Sequence, residues 1–137
     1  MKRKITGKLL EWKDKRGRMP LIVNGARQIG KTYSITHFGN TSFDNLIYIN
    51  LETNKSIVSV FEEDITPQQI ITKLETETQQ RIIAGKTLVF LDEIQASERA
   101  LLSLKYFCEN APEYHVIAAG SLLGVAINRE KYSFPVG

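Results

Sequence analysis

The chain has 137 residues, 42% of them hydrophobic, which suffices for one domain with a packed core. Its single cysteine, Cys108, excludes an internal disulfide, and no apolar run approaches the ~20 residues of a membrane-spanning helix. The formal net charge of +3 is unevenly placed: residues 1–18 hold eight Lys or Arg against Glu11 and Asp14, so the remainder of the chain is net acidic.

That basic start reads either as a solvated helix face, the plainer option, or as a surface for nucleic acid, an anionic membrane or the nucleotide. Met1-Lys2-Arg3-Lys4 has no apolar stretch behind it, so it is not a secretory signal, and a cytoplasmic location is expected. Ile5, Leu9 and Trp12 recur at helical spacing, with Trp12 on the core side, and Gly17 and Pro20 break the pattern.

Leu21-Ile22-Val23 begins a short strand ending at about Asn24. Directly after it, Gly25-Ala26-Arg27-Gln28-Ile29-Gly30-Lys31-Thr32 reads G-x-x-x-x-G-K-T, and a helix is expected from Lys31 to about Phe38. Strand, loop and helix are the context a phosphate-binding loop needs. A nucleoside triphosphate tail is a dense polyanion. Inward backbone N–H groups and a helix start can cradle it, and Gly25 and Gly30 let the chain approach without a Cβ clash. Lys31 would reach the β- and γ-phosphates, and Thr32 would offer its hydroxyl to Mg²⁺. The alternative is a Gly-containing turn before an ordinary helix.

Gly39-Asn40 is expected to end this helix, placing His37 in its last turn, with no second ligand spaced to make His37 a metal site. A second strand is expected over Asn45 to Asn50. Ile57, Val58, Val60 and Phe61 suggest a short helix. Thr66-Pro67-Gln68-Gln69 reads as a helix start with a capping box, Ile71, Leu74, Thr78 and Ile82 as one helical face, and Gly85 as the stop.

Thr87 to Leu91 is an apolar run suited to a strand buried on both faces of a parallel sheet, and it ends in Asp92-Glu93. Ligands on such sheets sit at the carboxyl ends of the strands. Carboxylates there suit Mg²⁺ chemistry: Asp92 as metal ligand through water, Glu93 as the base that polarises the attacking water. Ser97 can cap a helix whose buried side takes Leu101, Leu104 and Cys108, with Leu102, Tyr106 and Phe107 adding bulk. Cys108 therefore reads as a small core residue, since no basic partner marks it as a nucleophile. Pro112 ends this helix. Tyr114 to Ala119 forms the fourth strand, with His115 structural at its far end. Ser121, after Gly120, is either a polar group reaching the γ-phosphate or an N-cap.

Asn24-Gly25-Ala26-Arg27-Gln28-Ile29-Gly30-Lys31-Thr32, Tyr48-Ile49-Asn50-Leu51-Glu52, Leu91-Asp92-Glu93-Ile94-Gln95, Ala119-Gly120-Ser121-Leu122-Leu123-Gly124 and Ser133-Phe134-Pro135-Val136-Gly137 follow in order. Together they resemble the prokaryotic AAA+-like P-loop ATPases that carry a C-terminal domain of unknown function, over nearly the whole chain. The resemblance implies an α/β fold: the three-layer αβα sandwich of P-loop NTPases with a mainly parallel sheet in the order 5-1-4-3-2. It implies ATP and Mg²⁺ as ligands and puts Lys31, Thr32, Asp92, Glu93 and Ser121 on the phosphate, metal, base and sensor positions. Arg18 and Met19 fall where the family approaches the nucleobase, and Arg27, Arg99 and Arg129 are candidates for the arginine that such ATPases supply at a subunit interface.

Family members continue beyond this length, so the chain is expected to stop before strand five and the lid, with 1–20 as a basic helical lead-in and 21–137 as the nucleotide-binding core. The first strand would then be an edge, open to a second copy of the chain. Two functional readings stand. One is an ATPase core driving a remodelling or regulatory step. The other is a nucleotide-dependent protein or nucleic-acid binding module with negligible turnover. A GTPase or small-molecule kinase is disfavoured, because neither an N-K-x-D signature nor an acceptor-site pattern is present.

Overall fold

The computed structural model describes residues 9–14, 20–24 and 29–120. Four strands, β1 (Leu21–Asn24), β2 (Asn45–Asn50), β3 (Thr87–Asp92) and β4 (His115–Gly120), form one all-parallel sheet in the order β1-β4-β3-β2. A helical stretch at 9–14 (α1) precedes β1. Then come α2 (Ile29–Ser42), α3 (Lys55–Val58), α4 (Pro67–Thr78) and α5 (Glu98–Asn110), with 3-10 turns at Ser59–Phe61 and Ile94–Ala96. This is the layered α/β architecture of P-loop NTPases that the sequence leads one to expect, with β1, β4, β3 and β2 in the expected order.

Strand alternation divides the core in two. Leu21, Val23, Leu88, Phe90, Ile117 and Ala119 face α1 and α2, where they meet Leu9, Trp12, Ile35 and Phe38. Ile22, Ile47, Ile49, Val89, Leu91, Val116 and Ala118 face the other way, onto Phe61, Ile70, Leu74, Leu104 and Phe107 of the α3–α5 side. β3 and β4 are buried at every position, as central strands of a doubly covered parallel sheet must be. Trp12 is on the core side of α1, as expected. His115 is structural: its Nε2 lies 3.0 Å from the Lys13 carbonyl, and Trp12 and Phe43 pack edge-on against its ring. Among the described residues no helix is long and apolar enough to cross a membrane.

Helix ends differ from expectation, each for a local reason. Gly39 does not stop α2, which runs on to Ser42, so His37 is not in the last turn. Gly39 is instead a packing residue: a Cβ there would sit 2.7 Å from Leu46 Cδ1 and 3.1 Å from Leu88 Cδ2, so a larger residue would require those leucine side chains to move. Ahead of α4, Thr66 makes no side-chain cap, although Pro67 takes the first turn as expected. The Thr66 N–H that a capping box would use donates to Asp64 Oδ1 at 2.9 Å. α4 ends at Thr78 because Gln79 turns left-handed (φ 56°), well before Gly85. Ile82 is therefore not on the helix, yet it is buried, and its N–H donates to Glu75 Oε2 at 2.8 Å. Ser97 caps α5 as expected, accepting from the Ala100 N–H at 3.1 Å. Cys108 is half-buried and not in the core, because Ala100, Leu101, Ser103, Leu104 and Phe107 form the buried stripe of α5. Partial burial, with Glu109 beside it, pushes the Cys108 thiol pKa up, which suits an unreactive thiol.

Candidate functional site

The site grows from the parity of β3. Leu88 and Phe90 face the α2 side, so Asp92, two residues further on, emerges on that side at the carboxyl end of the strand. The first turn of α2 lies opposite. Thr32 Oγ1 donates to Asp92 Oδ2 at 3.4 Å, joining residues 60 apart in the chain. These are the two residues the sequence assigns to Mg²⁺.

Asp92 is only 6% exposed, so its carboxylate must be satisfied from within. Oδ1 accepts from the Glu93 N–H at 2.9 Å. Oδ2 accepts, besides Thr32, from the Tyr48 hydroxyl at 2.7 Å. Tyr48 belongs to β2, two residues before the strand end, where Asn50 stands in register with Asp92. Burial pushes the Tyr48 phenol pKa up to about 12; the bond to Asp92 and that carboxylate's charge add to it, the Asn50 side chain offsets part, and the Glu93 charge adds a little. The phenol thus remains a protonated donor throughout the neutral range. Asn50 also closes the turn after β2, its Oδ1 accepting from the N–H groups of Glu52 (2.9 Å) and Thr53 (3.1 Å).

Glu93 follows in the left-handed region (φ 55°, ψ 51°), a conformation a residue with a side chain adopts at a cost of about 1 kcal/mol or more. Its Oε1 accepts from Gln95 Nε2 at 2.8 Å. Gly120 at the tip of β4 packs against the same turn. At φ +153° a side chain is disfavoured, and a Cβ would stand 3.0 Å from the Ile94 nitrogen and collide with the Gln95 amide.

Among the sequence-derived candidates, then, Thr32 and Asp92 are brought together, and Glu93 is adjacent in the chain with its carboxylate engaged by Gln95. Gly25, Ala26, Arg27, Gln28, Ser121, Arg18, Met19 and Arg129 lie outside the described residues. Ile29, Gly30 and Lys31 contribute helical backbone to α2, and their side chains also lie outside the description. Arg99, a candidate interface arginine, is engaged within its own chain. Its guanidinium donates to the carbonyls of Phe61 and Glu63, both at 2.6 Å, and ties α5 to the turn before α4. Tyr48 and Gln95 were missed by sequence reasoning. The available signal was a hydroxyl-bearing aromatic on a strand, with the same parity as the Asp of its parallel neighbour.

A family model described as AAA domain matches residues 17–135. The chain belongs to the AAA domain family. No curated protein matches it. As an AAA domain it is a nucleotide-binding, P-loop ATPase-like protein, and the family implies ATP with, usually, Mg²⁺. The donors present suit that ion. Mg²⁺ takes hard oxygen ligands and is commonly held by one or two carboxylates together with substrate phosphates and waters. A hydroxyl and a carboxylate 3.4 Å apart match this requirement. Among the described residues no cluster of three or more His, Cys, Asp or Glu forms, and an AAA domain needs none, since the nucleotide brings the remaining ligands.

Proposed function

We propose that this AAA domain binds Mg²⁺-ATP at the carboxyl ends of its strands and hydrolyses the γ-phosphate, with residues 21–137 as the nucleotide-binding core. The observation that carries the reading is the Thr32–Asp92 contact, a polar bridge between the first turn of α2 and the end of β3. In this reading the backbone N–H groups of the Gly25–Gly30 loop hold the phosphates and Lys31 neutralises them. Thr32 and Asp92 hold Mg²⁺, whose chemistry there is to withdraw charge from the phosphate oxygens. Glu93 takes the proton of the attacking water on its carboxylate, and Ser121 contacts the γ-phosphate.

Titration calorimetry with Mg²⁺-ATP and a non-hydrolysable analogue, on the wild type and Lys31→Ala, tests this. Micromolar binding that disappears in the variant is the expected result. A folded wild type that binds neither nucleotide ends the proposal. A second reading, nucleotide-dependent binding with negligible turnover, draws on the 2.8 Å bond from Gln95 to Glu93, which occupies the oxygen of the would-be base.

A further inference from the structure

Tyr48 is 43% exposed and contributes little to the core, although its ring lies edge-on to Phe90 at 5.2 Å. Its hydroxyl nevertheless makes the shortest of the three bonds to the Asp92 carboxylate among the described residues, 2.7 Å against 2.9 Å from the Glu93 N–H and 3.4 Å from Thr32. A hydroxyl-to-carboxylate bond of this length is a strong, charge-assisted one. The three donors divide the work. The Glu93 N–H pins Oδ1 from the main chain. Thr32 approaches Oδ2 as a prospective ligand itself. Tyr48 alone is a side chain that grips Oδ2 from the neighbouring strand without being placed to ligate.

An aspartate at the end of a strand can rotate about its side-chain bonds. Held at Oδ1 only, it has one fixed point; the Tyr48 bond supplies the second and keeps Oδ2 turned toward Thr32. We propose that Tyr48 is a positioning residue for the divalent cation, setting the orientation of Asp92 and so the metal affinity of the nucleotide-loaded site. The inference rests on the nucleotide-binding reading above. Donors of this outer kind orient first ligands, and their loss commonly costs ~10–100-fold in metal affinity.

Tyr48→Phe removes the hydroxyl and keeps the ring against Phe90. The full chain is titrated with a non-hydrolysable ATP analogue in EDTA, and then with Mg²⁺ at saturating analogue, with Mn²⁺ binding followed by electron paramagnetic resonance as a second readout. The expected result is unchanged metal-free analogue affinity and a roughly tenfold higher requirement for either cation. Tyr48→Leu, which lacks both hydroxyl and ring, gives the same cation shift by an independent route. In an Asp92→Asn background the tyrosine substitution adds nothing further. An unchanged cation requirement in both tyrosine variants overturns the proposal, as does an equal loss of affinity in EDTA, which marks a general structural role. These outcomes are distinct from failure of the underlying reading, in which the wild type itself binds no nucleotide or does so without regard to metal.

Discussion

Thr87 and Asp92 stand at opposite ends of β3, both nearly inaccessible to water, and each is bonded to a side chain of β2. At the amino end, Thr87 Oγ1 donates to Asn45 Oδ1 at 2.6 Å and accepts from the Ile83 N–H at 3.0 Å, while Asn45 Nδ2 donates to the Arg81 carbonyl at 3.0 Å. Every partner there is neutral, and the closed set locks the loop before β3 to the sheet. At the carboxyl end the acceptor is a carboxylate, held at 2.7 Å by the Tyr48 hydroxyl and approached at 3.4 Å by Thr32, the proposed cation ligand. One strand therefore carries a structural latch at its amino end and the candidate site at its carboxyl end. The difference lies in whether the buried group is a neutral one with matched neutral partners or a carboxylate whose partners include a proposed ligand.

Glu93→Gln probes the chemical end with the largest expected effect. If Glu93 is the base, ATP turnover falls by ~10²–10⁴-fold while nucleotide stays bound, read as trapped ATP in a single-turnover assay. Unchanged turnover would favour the binding-module reading. Thr87→Val probes the latch. It is close to isosteric and strands the Asn45 acceptor and the Ile83 donor, so denaturant unfolding should show a loss of ~1–3 kcal/mol with no change in nucleotide affinity. A large affinity loss would mean that the two ends are coupled and the contrast is false.

The smallest effect is in alkaline stability. The Tyr48 pKa lies above its ordinary 10.0, at about 12 in the folded chain, so the native state holds that proton more tightly than the unfolded chain does. The resulting stabilisation is complete below pH 10 and is lost as pH rises toward 12. Wild-type stability should therefore fall more steeply than that of Tyr48→Phe across this window. Parallel curves would show that folding does not raise the phenol pKa, so that neither burial nor Asp92 holds its proton.

The strands and the Thr32–Asp92 pair were legible in the sequence because both depend on short-range pattern. Unbroken apolar runs mark buried parallel strands, and the G-x-x-x-x-G-K-T and Asp-Glu signals lie at strand ends, where topology must bring them to one rim. Helix ends were less legible, since the signals are ambiguous one residue at a time. Gly39 looks like a stop and serves as a contact surface, Gln79 takes the left-handed turn without being glycine, and Asp64 claims the N–H that Thr66 and Gln69 would share. Tyr48 was beyond reach for another reason. Its partner is 44 residues away, and the pairing follows only from the register of β2 on β3.

Gly120 bears on how a library of random variants would read. Its backbone angle, φ +153°, strains any side chain, and a Cβ would crowd the Ile94 nitrogen and displace the Gln95 amide, so substitutions there are disfavoured whether or not selection involves nucleotide. Tyr48, exposed and peripheral, would accept many replacements in a screen for folding. Intolerance at the tip of β4 thus reports shape, and only the contrast between a folding screen and a metal-dependent one would separate the residues that build this rim from those that use it.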